Sequence, residues 1–317
     1  MNFATLQGLT IPEGVVTEIK DASGRVLWSL EKPIPAVLQV AKITSDTYAG
    51  STTYTGESFI LLDIYPKTSS STVTITYGGL TKTLTFSGTN AQQVFFGTFN
   101  GVSDSVTTPN NGTLTIDGGY SAFGVGSYSS DSKTTKYCSC ITNVNEWGQI
   151  KKIPNRAFSN CTSLTITQLP KGITSIGSYA FYYCEKINIT EIPNGVTSID
   201  TYAFYMDYKS EDMYDNERYP KSNMSKILLP ATLKSIGAGA FVYSAKHKGG
   251  SGDAHDDPIV SQVTLLATTP PTISDTTFGG CDEGEYNLSI TVPKGCADVY
   301  KTANIWSEYA SFITEVS

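Results

Sequence analysis

Charge is scarce in this chain. Of 317 residues, 22 are Lys or Arg and 29 are Asp or Glu, which leaves a formal net charge of −7. Nucleic-acid binding is dominated by cationic contacts to phosphate, so nucleic acid is not an expected partner, and anionic membrane surfaces are disfavoured by the same sign. No apolar run reaches the roughly 20 residues of a membrane-spanning helix, so membrane insertion is not expected. Histidine is scarcer still: His247 and His255 both fall in the stretch AKHKGGSGDAHDDP, 245–258. No GxSxG elbow occurs, which excludes the usual serine hydrolase arrangement. Glycosidase chemistry needs two carboxylates converging on one cleft, and Asp and Glu lie mostly in loop-forming sequence, so no catalytic pair is nominated. Asp253, His255, Asp256 and Asp257 are capable metal ligands. Gly249-Gly250-Ser251-Gly252 beside them does not preorganise a site, so the stretch reads as a flexible, solvated loop. No catalytic residue, cofactor or metal is expected. Heptads are missing too, and with them any coiled coil to drive trimers. Residues 1–20 carry Glu13, Glu18 and Lys20, and no apolar segment of a secretory leader follows Met1.

Six cysteines are too regularly placed to read first as a disulfide framework. Cys161, Cys184 and Cys281 recur at one position of a repeat, and free Cys packs as a small hydrophobe, so a buried column of thiols is expected. Cys138 and Cys140 would point to opposite faces of a strand, and a CxC pair alone is weak evidence for zinc. Cys296 falls in the closing segment.

What is abundant is repetition. Ala-Phe occurs at Ala157-Phe158, Ala180-Phe181, Ala203-Phe204 and Ala240-Phe241, and in altered form at Thr277-Phe278, with spacings of 23, 23, 37 and 37 residues. An Ile precedes each Phe by five residues: Ile153, Ile176, Ile199, Ile236 and Ile273. An apolar residue precedes Pro at Leu169-Pro170, Ile192-Pro193, Leu229-Pro230 and Val292-Pro293. A fixed period in this range means stacked units that bury a common core. The longer gaps keep the same marks, so their extra residues should be loops extruded from one edge. The apolar-Pro step fits the end of a short strand, where Pro stops the ladder. The segment from Ile to Phe reads as a turn and a short helical stretch, giving one strand per repeat and a compact return path.

The segments ITSIGSYAFYYC (173–184), VTSIDTYAFYM (196–206) and LKSIGAGAFVY (233–243) resemble the BspA-type leucine-rich repeat. Residues 141–161 resemble the first unit of such arrays and 289–313 their closing cap. The resemblance implies a right-handed solenoid used for adhesion or protein recognition, without catalytic residues in its motif.

Residues 33–137 differ in texture. Short alternating runs, Ala36 to Ile43, Phe59 to Tyr65, Val73 to Tyr77, Leu80 to Phe86, Gln93 to Phe99 and Thr113 to Ile116, are separated by Gly, Ser, Asn and Asp. Gly78-Gly79 between two such runs signals a hairpin. About seven short strands in about 100 residues predict an immunoglobulin-like antiparallel sandwich. Residues 9–30 read as a further hairpin around Asp21-Ala22-Ser23-Gly24, followed by a stiff Lys32-Pro33-Ile34-Pro35 linker. The expected fold is therefore mainly β, with segments 1–32 (attachment hairpin), 33–137 (sandwich) and 138–317 (solenoid with short helical returns and a cap). Residues 1–32 and the Ser/Thr/Gly-rich middle resemble segments of prophage tail-associated proteins of gut bacteria.

Three surfaces are candidates for binding. Counting back from each Pro, Gln168, Glu191, Leu228, Thr264 and Thr291 should face outward on the strand side, and repeat proteins commonly bind on such surfaces. The first insertion, 207–223, carries Tyr208, Tyr214 and Tyr219 among charges, and Tyr is enriched in recognition loops. Tyr182, Tyr183, Tyr205 and Tyr243 follow the Phe positions and are expected to pack over the return side, while Trp306 and Tyr309 close the last open edge. The expectation is a non-enzymatic recognition protein of a phage or prophage tail, located in the virion. Its partners would be a protein or glycan on a bacterial surface and, through residues 1–32, other virion proteins. A BspA-like bacterial cell-surface adhesin is the alternative, and a glycan hydrolase using loop carboxylates is the third reading.

Overall fold

A computed structural model gives the fold and describes residues 18–20, 26–29, 34–41, 58–99, 102–105, 110–125, 140–206, 223–245, 255–279 and 288–316. The chain forms two compact units, Met1–Ile34 and Pro35–Ser317. In the first, β1 (Glu18–Lys20) pairs antiparallel with β2 (Val26–Ser29), with Ile19 opposite Trp28. The hairpin expected around residues 21–24 is present.

The second unit begins with two antiparallel sheets. Its strands are β3 (Ala36–Val40), β4 (Ser58–Pro66), β5 (Thr72–Tyr77), β6 (Leu80–Thr85), β7 (Gln92–Phe99), β8 (Val102–Ser103), β9 (Gly112–Gly118), β10 (Tyr120–Gly124) and β11 (Ile141–Trp147). One sheet has the order β11-β3-β9-β5-β6 and the other β10-β4-β7-β8. Alternation decides which face is buried: Ala36, Leu38 and Val40 from β3, Val73, Ile75 and Tyr77 from β5, and Ile60, Leu62 and Ile64 from β4 enter one core. Tyr77 meets Phe96 edge-on at 5.8 Å across it. On β4 the opposite face is buried as well, where Phe59 and Leu61 pack with Phe95. Gly78 and Gly79 both have positive φ, 59° and 81°, as a two-residue type I′ hairpin requires.

The strand order departs from the immunoglobulin-like arrangement. In that arrangement the strand beside β9 would be the next one in the chain; here that place belongs to β3, and β10 crosses to the other sheet beside β4. The crossing is made at Gly118-Gly119. Gly118 has φ +105°, and a Cβ there would stand 2.4 Å from Thr72 O. A corner this tight moves the chain from one sheet to the other.

Residues from Ile153 onward form a stack of coils. The phenylalanines Phe158, Phe181, Phe204, Phe241 and Phe278 lie ring over ring, with centroids 5.5, 5.3, 5.3 and 5.8 Å apart and planes within 9° of parallel. Each coil was expected to add one strand, but two parallel ladders run along the stack. The first joins Ile153, β12 (Ser175–Ile176), β13 (Ser198–Ile199), β15 (Ser235–Ile236) and Thr272. The second joins Glu191, β14 (Lys226–Leu229), β18 (Gln262–Leu265), β19 (Ser289–Val292) and β20 (Ile313–Glu315). β14 and β19 end immediately before Pro230 and Pro293, where the missing N–H ends the ladder.

The return segments are turns, not the expected short helices. Alternate amides leave the turn to bond the next coil: Tyr179 N–H to Thr201 O, Phe181 N–H to Ala203 O and Tyr183 N–H to Tyr205 O, at 2.7–3.0 Å. A helix would use those donors internally. The geometry requires left-handed backbone at Arg156, Tyr179 and Tyr202, with φ of 55–58°. The second insertion also differs from the expected loop. Its ends are β16 (Val242–Ala245) and β17 (His255–Pro258), an antiparallel hairpin in which Ala245 faces His255.

Among the described residues, packing runs across the expected boundary at 137/138. β11 pairs with β3 as an edge strand of the first sheet. β10 stands in for a coil: Lys151 N–H donates to Ser121 O (3.1 Å) and Val125 N–H to Ala157 O (2.7 Å). Phe123 and Trp147 both contact Phe158, at 6.2 and 5.5 Å between centroids, so one core continues from the sheets into the stack. At the far end α1 (Ala297–Thr302) and a 3₁₀ helix (Trp306–Phe312) cover Phe278 with Trp306 and Tyr309. The caps also satisfy backbone carbonyls of the last coil: Trp306 Nε1–H donates to Pro271 O (2.7 Å) and Tyr309 Oη–H to Asp275 O (2.9 Å). Tyr300 Oη–H donates to Ala267 O (2.8 Å), and burial raises its pKa.

Candidate binding surface

The second ladder builds the regular face. Its strands share the pattern exposed, buried, half-buried, buried. Ile227, Val263 and Ile290 point inward, and Leu228, Thr264 and Thr291 point outward. Register places the outward residues in one row: Glu191 beside Leu228, Leu228 beside Thr264, Thr264 beside Thr291, and Thr291 beside Thr314. Four of the five nominated residues therefore lie on adjacent coils in the expected register, and Thr314 extends the row. The sequence trace of that extension is the pair Ile313-Thr314, which repeats Ile290-Thr291.

Gln168, the fifth, sits where the ladder opens. Among the described residues, this side retains one backbone bond between the first two coils, Asn188 N–H to Ile166 O at 3.0 Å. Beyond it the coils frame an open cavity of about 750 Å3, lined by Thr167, Gln168, Leu169, Lys171, Asn188, Thr190, Glu191, Pro193 and Asn194. The surface thus divides into a polar cleft on the first two coils and a hydroxyl-bearing sheet on the later ones. The cleft was not foreseen. Its trace in sequence is the pair Thr167-Gln168 and Thr190-Glu191, polar at both positions, where the third coil has Leu228.

Tyr208, Tyr214 and Tyr219 lie outside the described residues, as do Cys138, Cys281, His247 and Asp253. The side chains of His255, Asp256 and Asp257 are likewise outside them. Among the described residues no group of three or more His, Cys, Asp or Glu side chains is placed to hold a metal ion. Cys140, Cys161, Cys184 and Cys296 are buried thiols, and Cys184 Sγ–H donates to Phe158 O at 3.0 Å.

The tyrosines of the return side pack along the stack. Tyr182 and Tyr205 stack at 5.7 Å with planes 7° apart, Tyr179 and Tyr202 lie at 5.2 Å, and the Arg156 guanidinium stands 4.6 Å from the Tyr179 ring. Rings stacked along the axis occupy one another's faces and turn their edges outward, which makes this cluster a packing ladder and a poor platform for a flat ligand.

Residues 131–246 match the family described as BspA type Leucine rich repeat region, in 6 copies. The matched residues are similar to that repeat family and make up less than half of the chain. The match takes in β11 but none of the other strands of the two sheets, and it stops before the last coils. No curated protein matches the chain.

Proposed function

We propose that the chain is a non-enzymatic recognition protein, in which the stacked coils form a leucine-rich solenoid and its second ladder is the contact surface. The observation that carries this reading is the row Glu191, Leu228, Thr264, Thr291 and Thr314, presented at strand spacing over successive coils. A rigid sheet holds such groups with little ordering cost on binding. Its partner is a protein or glycan on a bacterial surface. The setting we favour is a phage or prophage tail, with residues 1–32 attaching the chain to the particle; this rests on the resemblance of residues 1–137 to tail-associated segments. The second setting, a bacterial surface adhesin, draws on the family match over residues 131–246.

The test is binding of the purified chain to a panel of intact gut bacteria, alongside a variant lacking residues 207–223. Strain-selective binding is expected. Loss on deletion would move the contact from the ladder face to the tyrosine-bearing insertion, and no binding to any cell would remove the recognition reading. Neighbouring genes that encode tail structural proteins would separate the first setting from the second.

A further inference from the structure

Glu191 is the central residue of an isolated parallel bridge. Leu228 N–H donates to Thr190 O and Ile192 N–H donates to Leu228 O, both at 2.9 Å. In extended backbone the N–H and C=O of one residue point to one side, and those of its neighbours to the other. Thr190 and Ile192 are therefore committed to the third coil. The N–H and C=O of Glu191 point the opposite way, towards the first coil, where the ladder has opened into the cleft. Among the described residues neither group has a backbone partner. An unpaired strand edge is a template for another strand, and here it is set in a cavity of about 750 Å3 whose walls supply amides, hydroxyls and one charge of each sign.

We propose that this cleft is a docking site for an extended segment of a partner protein. The partner's main chain pairs with Glu191 N–H and C=O, as in strand addition, and its alternate side chains meet Gln168, Asn188 and Lys171. A peptide fits better than a glycan for two reasons. The unmatched groups are backbone groups with strand geometry, and no aromatic ring lines the cavity to stack on a sugar. This rests on the recognition reading above and names its ligand class.

The probe is an array of synthetic peptides of roughly ten residues with alternating apolar and polar side chains, run beside a glycan array. Binding of array peptides is expected, with slowed exchange of the Glu191 amide proton. Glu191→Pro removes the N–H that faces the cleft and spares the bonds of Thr190 and Ile192. It is expected to weaken binding roughly ten-fold, the scale of one hydrogen bond. Glu191→Gln keeps the backbone N–H and should weaken binding less than Glu191→Pro does. If Glu191→Pro fails to fold, Gln168→Trp, which fills the cleft from an exposed position, should give the same loss. Unaltered binding by a folded cleft variant, binding to glycans alone, or no binding to the peptide array would each overturn the proposal. Cell binding that ignores the cleft variants would leave the recognition reading standing, and peptide binding without cell binding would do the reverse.

Discussion

Phe204 lies between Phe181 and Phe241 with each centroid 5.3 Å away, and it is fully buried. Truncating it removes contacts on both faces and opens a void that neighbouring coils cannot close without losing their ladder bonds. Phe204→Ala is expected to cost about 3–5 kcal/mol, read as a lowered midpoint in urea. Gly237 works by absence of a side chain. A Cβ there would stand 2.4 Å from Thr201 N, a backbone atom of the adjacent coil, whereas one at Gly88 would meet nothing within 4 Å. Gly237→Ala should therefore destabilise by about 1–3 kcal/mol, and Gly88→Ala should stay within about 0.5 kcal/mol of wild type.

Two carboxylates give opposite pH slopes. Burial raises the pKa of Asp200, so its stabilising protonation is present below the unfolded value and is lost as pH rises through the folded one. Asp200→Asn should raise Tm at pH 7 and change little near pH 3. Glu315 is the reverse case. It accepts the Ala297 N–H at 2.8 Å, and backbone N–H groups there hold its pKa down. Its contribution is present above the ordinary carboxylate range and is lost as pH falls through the lowered pKa, so Glu315→Gln should lower Tm at pH 7 and converge on wild type in acid.

At the scale of elements, stacking geometry decides more than local preference. Tyrosine does not favour left-handed backbone, and each such residue costs on the order of 1–3 kcal/mol. Tyr179 and Tyr202 adopt it because their amides are needed by the next coil. That is why the return segments could not be read from sequence: Ser178 to Phe181 has acceptable helix chemistry, and the inter-coil bonds that forbid a helix join residues more than 20 apart. The Phe and Ile columns were legible for the opposite reason, since the same side chain recurs at the same offset and needs no tertiary knowledge. The insertions leave that offset intact. Phe204 and Phe241, 37 residues apart, stack as closely as Phe181 and Phe204, 23 apart. Replacing residues 207–222 with a short Gly-Ser turn should thus change stability by less than about 1 kcal/mol in urea titration.

On the scale of the whole molecule, the sheets and the coils of residues 35–317 form one compact unit around a continuous core. β10 serves both as an edge of the second sheet and as the floor of the stack, with Gly124 set against Ala157 so closely that a Cβ would lie 3.1 Å from its Cα. A strand with two such roles leaves no sequence mark beyond Phe123 and a glycine, and β11 likewise reads as a repeat while it completes a sheet. The polar cleft was hidden for a related reason, because it arises from where a ladder stops and not from any motif. Calorimetry should show a single transition for this unit, and Gly124→Val should lower its temperature without splitting it.

The central claim is that the outward row of the second ladder is what this chain presents to its partner. The most direct measurement is cell binding by Thr264→Arg/Thr291→Arg, compared with wild type across strains that the wild type binds. Both side chains are half-buried on the outer face and contribute nothing to the Phe column, so the fold should persist, as checked by Tm. The account predicts that a folded double variant loses binding to every such strain. Undiminished binding by the folded variant would contradict it.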